Sequence, residues 1–282
     1  VGETETDASL RLAEIYNAAG QPKAALQFAE RHIKSRPYVD PTAHIIAARA
    51  CVQLEQWDRA EGILKNLKAR DPESPIPYVE FANLKRHAEG PQAAIDFILK
   101  SKLDLTKPAN SSVLGALCGD YVTLGKPEQA LSRVEAAVKA HPQELAFLDL
   151  QVRSLMHAGR VEAAREVLAK AEAIDPNYAP VLELRGTLLR QAGQLDEAIS
   201  YFERAAKASP QDAEYVYLAA QTLFMKQDAQ AGTARLRAAL ARVARPDHPR
   251  LVDLIIQDLT HKHAPAFGSL AIHKKLTLAQ LD

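Results

Sequence analysis

The sequence predicts an all-α repeat fold in which short amphipathic helix pairs stack on one continuous core, and three observations carry that prediction. First, residues 182–210, LELRGTLLRQAGQLDEAISYFERAAKASP, read as two helices joined at Gly193. Ala198, Phe202 and Ala205 share one face of the second helix, and Pro210 closes the unit. Second, a small residue returns at a period of about 34: Ala25, Ala60, Ala94, Ala130, Ala164, Ala198 and Gly232. Third, other columns keep register with it. Twelve positions earlier stand Ala13, Ala48, Ala82, Cys118, Val152, Gly186 and Ala220, where two helices must approach closely. Four positions after the anchor stand Leu64, Ile98, Val134, Leu168, Phe202 and Leu236, with only Ala29 small. Val152 is the one poor fit.

Taken in order, residues 1–6 (VGETET) are polar and expected to fray, and Asp7 is placed to cap the first helix. Gly20 supplies the turn before Gln21-Pro22 opens the second helix. The second pair begins after Pro41 and turns at Glu55-Gln56. There Trp57 either packs on the neighbouring unit or stands exposed as an anchor for a partner. The third unit turns at residues 87–91 (HAEGP). It then runs on through SKLDLTKPANSS, with two residues inserted near Thr106-Lys107-Pro108, which should change the local pitch or lift a loop from the surface. Units four to six turn at Gly125, Gly159 and Gly193. The seventh turns at Lys226-Gln227-Asp228 and loses the closing proline, as a terminal repeat does. The repeat boundaries fall at about 7–40, 41–74, 75–108, 109–143, 144–177, 178–211 and 212–245. Residues 246–263 read as a capping helix, with Leu251, Leu254, Ile255 and Leu259 on its inner side; residues 264–282 form a tail that docks, binds a partner or stays mobile.

These columns resemble the tetratricopeptide repeat. Leu12-Ala13 and Tyr16 in the first unit, Leu117-Cys118 and Tyr121 in the fourth, and Gly186, Ala198, Phe202 and Pro210 in the sixth stand where that repeat has its signature residues. The resemblance covers residues 7–245. It implies a right-handed superhelical solenoid of about seven repeats whose first helices line a concave surface that binds peptides or proteins.

Composition narrows the function. Lys and Arg number 35 and Asp and Glu 35, so the zero net charge argues against nucleic acid as a partner. Aromatic residues make up 6%, too few for a stacking ladder. No run approaches the length of a membrane span. Cys51 and Cys118 sit in inward columns nearly two repeats apart and read as buried thiols. A start at Val1 with no secretory segment suggests a processed protein or an excised piece. No phosphate-binding glycine loop, nucleophile elbow, His-Glu-x-x-His or zinc-spaced cysteine pair is present. His261 and His263 alone make a weak metal motif. The expectation is a non-enzymatic protein with no cofactor and no metal.

The resemblance assigns the concave face residue by residue. It names Arg49; Asn83, Arg86 and His87; Arg153 and His157; Arg190 and Gln191; then Tyr217, Gln221 and Phe224 as the partner-binding groove. The same columns of the fourth unit hold Gly115, Gly119, Val122 and Thr123, a bare patch where a ligand backbone could come close. Arg49, Arg86, Arg153 and Arg190 either receive an acidic peptide or a terminal carboxylate, or pair with neighbouring acids and solvate the face. The Lys and Asn carboxylate clamp of chaperone-binding members is not reproduced, since Val79 precedes Asn83. Tyr217, Phe224 and Met225 would suit an apolar anchor or would touch the cap.

The function expected is a scaffold or adaptor holding a segment of a partner protein in this groove. The alternative is the soluble repeat region of a bacterial envelope component for polysaccharide export or surface-protein sorting, contacting an anionic polysaccharide or an assembly partner. Bacterial cytoplasm and periplasm both remain open, the envelope reading leaning to the periplasm. The residues leave oligomeric state open.

Overall fold

The computed structural model describes residues 5–18, 20–35, 41–210, 212, 214–228, 230–232 and 234–235. The α-helices follow in pairs: α1 (Glu5–Ala18) and α2 (Pro22–Ser35), α3 (Pro41–Gln53) and α4 (Trp57–Arg70), α5 (Pro75–Glu89) and α6 (Pro91–Lys100), α7 (Ser111–Thr123) and α8 (Pro127–Ala140), α9 (Leu145–His157) and α10 (Val161–Ile174), α11 (Ala179–Gln191) and α12 (Leu195–Ala208). The first helix of the next pair is α13 (Glu214–Met225). No strand occurs among the described residues. The chain divides into two compact units, Val1–Ile174 and Asp175–Asp282. The first holds α1 to α10 and the second α11 to α13.

The turns inside the pairs, except that between α5 and α6, share one chemistry. Gly20, Glu55, Gly125, Gly159, Gly193 and Gln227 all have φ between 58° and 78°, the left-handed conformation that ends a helix. The residue after each donates its backbone N–H five residues back, as in Lys126 to Tyr121 (2.8 Å) and Arg160 to Leu155 (2.9 Å). The carbonyl of that same residue then accepts the anchor's N–H, Ala164 to Arg160 and Ala198 to Gln194 both at 3.0 Å. The small-residue column is therefore fixed one helical turn beyond each bend. Proline at the first position of α2, α3, α5, α6 and α8 sacrifices no helical hydrogen bond.

The core follows the columns read from the sequence. Ala25, Ala60, Ala94, Ala130, Ala164 and Ala198 are all fully buried, as are Leu64, Val134, Leu168 and Phe202 four positions on. Val152, the poor fit, is buried too. Trp57 is half-buried against the cluster that contains Ala60, Leu64 and Phe81, which is the packing reading of that residue.

Three local expectations change. First, α1 starts at Glu5, so Asp7 lies in its first turn rather than at its cap. Second, residues 87–89 belong to α5, leaving Gly90 (φ 94°) as the whole bend before Pro91. Third, α6 has 10 residues where α4 has 14, so the connection to α7 is longer than the insertion alone would make it. The loop that follows is not lifted. Leu103 and Leu105 pack on the core, the Asp104 carboxylate accepts from Thr106 N (3.0 Å) and Oγ1 (2.7 Å), and Asn110 Nδ2 donates to the Asp104 carbonyl (2.8 Å). Apolar burial held the loop against the protein where inserted length alone would have released it. Leu236, the capping helix, the tail, His261 and His263 lie outside the described residues.

Candidate functional site

In the first unit, first helices touch directly in the order α3, α5, α7, α9. Their shared face carries Arg49, Asn83, Arg86, His87, Arg153 and His157, and its arginines are engaged. Arg49 Nε lies 3.1 Å from each oxygen of Glu80 on the next first helix, with Nη2 at 2.5 Å from Oε1. Glu80 is 4% exposed. Arg86 donates through Nε and Nη2 to Asp120 on α7, the second contact at 2.9 Å, while its Nη1 donates to Asn83 Oδ1. Asp120 is 1% exposed. Arg153 lies 3.1 Å from both oxygens of Asp149 one turn back on α9. The hydrogen bond that Arg49 donates to Glu80 pushes the Arg49 pKa up, against the opposing effect of burial.

A carboxylate this buried needs a cation and more than one hydrogen bond, and the forked guanidinium supplies both. Two of the arginines therefore tie one repeat to the next, and all three carry a carboxylate beside them. This is the pairing alternative of the two readings of the arginines. Glu80 and Asp120 were missed by reading the groove columns alone. Their signal was available: each is a lone acid inside a mostly apolar run, YVEFANL and LCGDYVTL, 31 and 34 residues after its arginine.

Between the Arg86–Asp120 and Arg153–Asp149 pairs, α7 presents the glycine patch. A Cβ built on Gly119 would meet nothing within 4 Å, whereas one on Gly115 would meet Leu150 Cδ2 at 3.3 Å. The bare position is thus Gly119, which is exposed, as are His87 and His157.

The second unit places the remaining residues. Arg190 Nη1 lies 3.4 Å from Gln221 Oε1, and its guanidinium stands 5.4 Å over the buried Phe202 ring. Burial pushes the Arg190 pKa down, with Glu183 and Tyr217 pulling it back. Gln191 is exposed. Tyr217 is buried and its hydroxyl accepts from Gln221 Nε2 (2.8 Å), so an oxygen rather than a ring face meets the site. Phe224 is half-buried, and its ring leaves room only for a glycine at 232, where a Cβ would stand 2.9 Å from Cε2. Of the three apolar residues, Met225 is the exposed one. Tyr217 and Phe224 serve the packing of their own unit.

Cys51 and Cys118 are buried free thiols. Among the described residues no group of three or more His, Cys, Asp or Glu could hold a metal ion. Among them, too, no helix is long and apolar enough to cross a membrane.

A tetratricopeptide-repeat family model matches residues 120–179, and a model of the actin-binding protein F N-terminal domain matches residues 194–282. No curated protein matches the chain. Among solved structures, the APC/C hetero-tetramer Cut9-Hcn1 is similar at TM-score 0.53 and 15% identity, covering 98% of this chain and 53% of that one. This chain therefore spans about half the length of that relative, and the likeness shows the fold alone. PilF of Pseudomonas aeruginosa is similar at TM-score 0.43 and 18% identity, covering 74% of this chain and 94% of that one. TTC0263, a thermophilic TPR protein of Thermus thermophilus, is similar at TM-score 0.39 and 23% identity, covering 78% and 99%.

Proposed function

From the premise that this chain is a tetratricopeptide-repeat protein, we propose that it is a non-enzymatic scaffold holding a segment of a partner protein across the face of α5, α7 and α9. The observation that carries this reading is the exposed Gly119, open to 4 Å, between two arginine-carboxylate pairs. A glycine there lets a ligand backbone reach the helix surface, and flanking side chains already fixed by ion pairs lose little freedom on binding. Because the pairs neutralise this face, the segment it suits is neutral and polar rather than acidic. In the second unit, Arg190 beside Gln221 offers a separate donor for a carboxylate.

The test fills the patch without touching the ion pairs. Charge reversal at Arg86 would strand the buried Asp120, whereas Gly119→Lys adds a side chain into open space. The full chain, Gly119→Lys and a control Gly62→Lys on α4 are used to capture partners from native extract, and each partner is identified and rebound in purified form. Loss with Gly119→Lys alone supports the reading; equal capture by all three sinks it. The family match over residues 194–282 supplies a second partner to test, actin, by cosedimentation; the Gly119→Lys variant should behave there as the unmodified chain does.

A further inference from the structure

A second site lies away from that face, around α2 and α4. Two cavities of about 770 and 410 Å³ share Glu30, Lys34 and Arg59 in their walls and so adjoin one another. Lys23 and Arg31 line the larger and Arg70 the smaller, so among the described residues five cations and one carboxylate, Glu30, line the two cavities, and Glu30 is itself bonded to Arg59. On a chain with 35 basic and 35 acidic residues this is a local excess of positive charge. Lys23 and Lys34 have no acidic partner among the described residues. Charges of one sign drawn together around a concavity raise the local concentration of the opposite sign.

The two cavities differ in their floors. The smaller is walled by Ile33, Ala47 and Ile63 beneath its cations, with Arg70 Nη1 3.3 Å from the His44 ring. The larger has polar Gln27 and Ser35 with Leu26. A bare phosphate would leave that apolar wall unused, whereas a peptide with a carboxylate next to an aliphatic side chain uses both parts. We propose that this paired cavity is a docking site for an acidic peptide segment of a partner protein, carboxylates toward Lys23, Lys34 and Arg31 and one aliphatic side chain on Ile33 and Ile63. It does not depend on the Gly119 face, and either site stands if the other falls.

The probe is a fluorescein-labelled, end-capped peptide of alternating Glu and Leu, followed by anisotropy on the full chain. Saturable binding is expected, weakened at least about tenfold by the double change Lys23→Glu and Lys34→Glu, whose side chains make no ion pair among the described residues. Lys139→Glu, exposed on α8, and Gly119→Lys should leave it unchanged. Replacing Leu by Ser in the peptide should cost affinity as well, by at least about fivefold, through the lost apolar burial. Absence of saturable binding overturns the proposal, as does full binding to the double variant. Equal affinity for the Ser peptide, or complete displacement by inorganic phosphate, would replace the peptide site with a simple anion site.

Discussion

Alanine at Gly186 should destabilise the second unit, although Gly→Ala in a helix interior ordinarily gains about 1 kcal/mol. Gly186 is buried on α11, and a Cβ there would stand 2.7 Å from Phe202 Cε1, 2.9 Å from Cδ1 and 3.0 Å from Cζ. Carbon atoms pack best at about 3.5–4.0 Å, so the ring would have to retreat by most of an ångström. Phe202 is fully buried against Ala198 and Ala219, and Arg190 lies over its ring, so retreat is obstructed. Overpacking of this kind costs about 1–3 kcal/mol, which exceeds the propensity gain and leaves a net loss of about 1 kcal/mol. Gly62 on α4 is the internal control: it is exposed, a Cβ there meets nothing within 4 Å, and Gly62→Ala should gain about 0.5–1 kcal/mol. Urea unfolding followed by far-ultraviolet circular dichroism reads both. Pairing Gly186→Ala with Phe202→Leu should cost less than the sum of the two single changes. A Gly186→Ala protein as stable as the parent would mean that the Gly186–Phe202 contact does not set the spacing of α11 and α12.

Arg86→Ala should cost about 2–3 kcal/mol, because it leaves the buried Asp120 carboxylate unpaired, while Arg153→Ala, in a partly exposed pair within one helix, should cost about 0.5 kcal/mol or less. Similar midpoints for the two would remove the distinction drawn between them. Glu55 holds the left-handed conformation (φ 58°) that glycine adopts at four of the equivalent bends, so Glu55→Gly should raise stability by about 0.5–1 kcal/mol in the same urea assay. Burial pushes the Cys118 thiol up to about 12, so the unfolded chain loses that proton first as pH rises. Stability should therefore be unaffected by this group below about pH 8.5 and fall above it, by up to about 1.4 kcal/mol per pH unit until the native thiol titrates. Comparing Cys118→Ala with the parent across that window isolates the effect, and identical slopes would refute it.

The columns visible in the sequence were those that packing imposes on every unit alike. A helix pair can close only where Ala or Gly admits its neighbour, so Ala60, Ala130, Ala164 and Ala198 announced both the period and the core. Bends were equally legible where glycine marked them, and at Glu55 and Gln227 the register located what composition did not. The break in the period after Ile98 was legible, but the path of the connection depended on whether Leu103 and Leu105 found apolar neighbours, which no periodicity reports. The state of the arginines was hidden for a related reason. Arg49 and Arg86 face their partners only because successive first helices stack with a particular axial offset, bringing Glu80 and Asp120 from the next repeat within reach. Tyr217 was assigned to a surface by register, yet its ring is buried in the cluster with Leu182 and Ala205.

That pairing also separates the two candidate sites by their response to salt. On the Gly119 face, Arg86 and Arg153 each carry a carboxylate within hydrogen-bond distance, so an approaching ligand meets closely spaced opposite charges whose field cancels over a few ångströms. Around α2 and α4 the cations Lys23, Arg31 and Lys34 line cavities whose one acid among the described residues, Glu30, is already bonded to Arg59, and their field extends into solvent. The Debye length shortens from about 10 Å at 0.1 M to about 3 Å at 1 M salt, so only the second field is strongly screened across that range. A partner seated on the first-helix face should therefore keep its affinity as salt rises, while an acidic segment in the paired cavity should leave it. Which behaviour a partner shows thus indicates which site it occupies before any residue is changed.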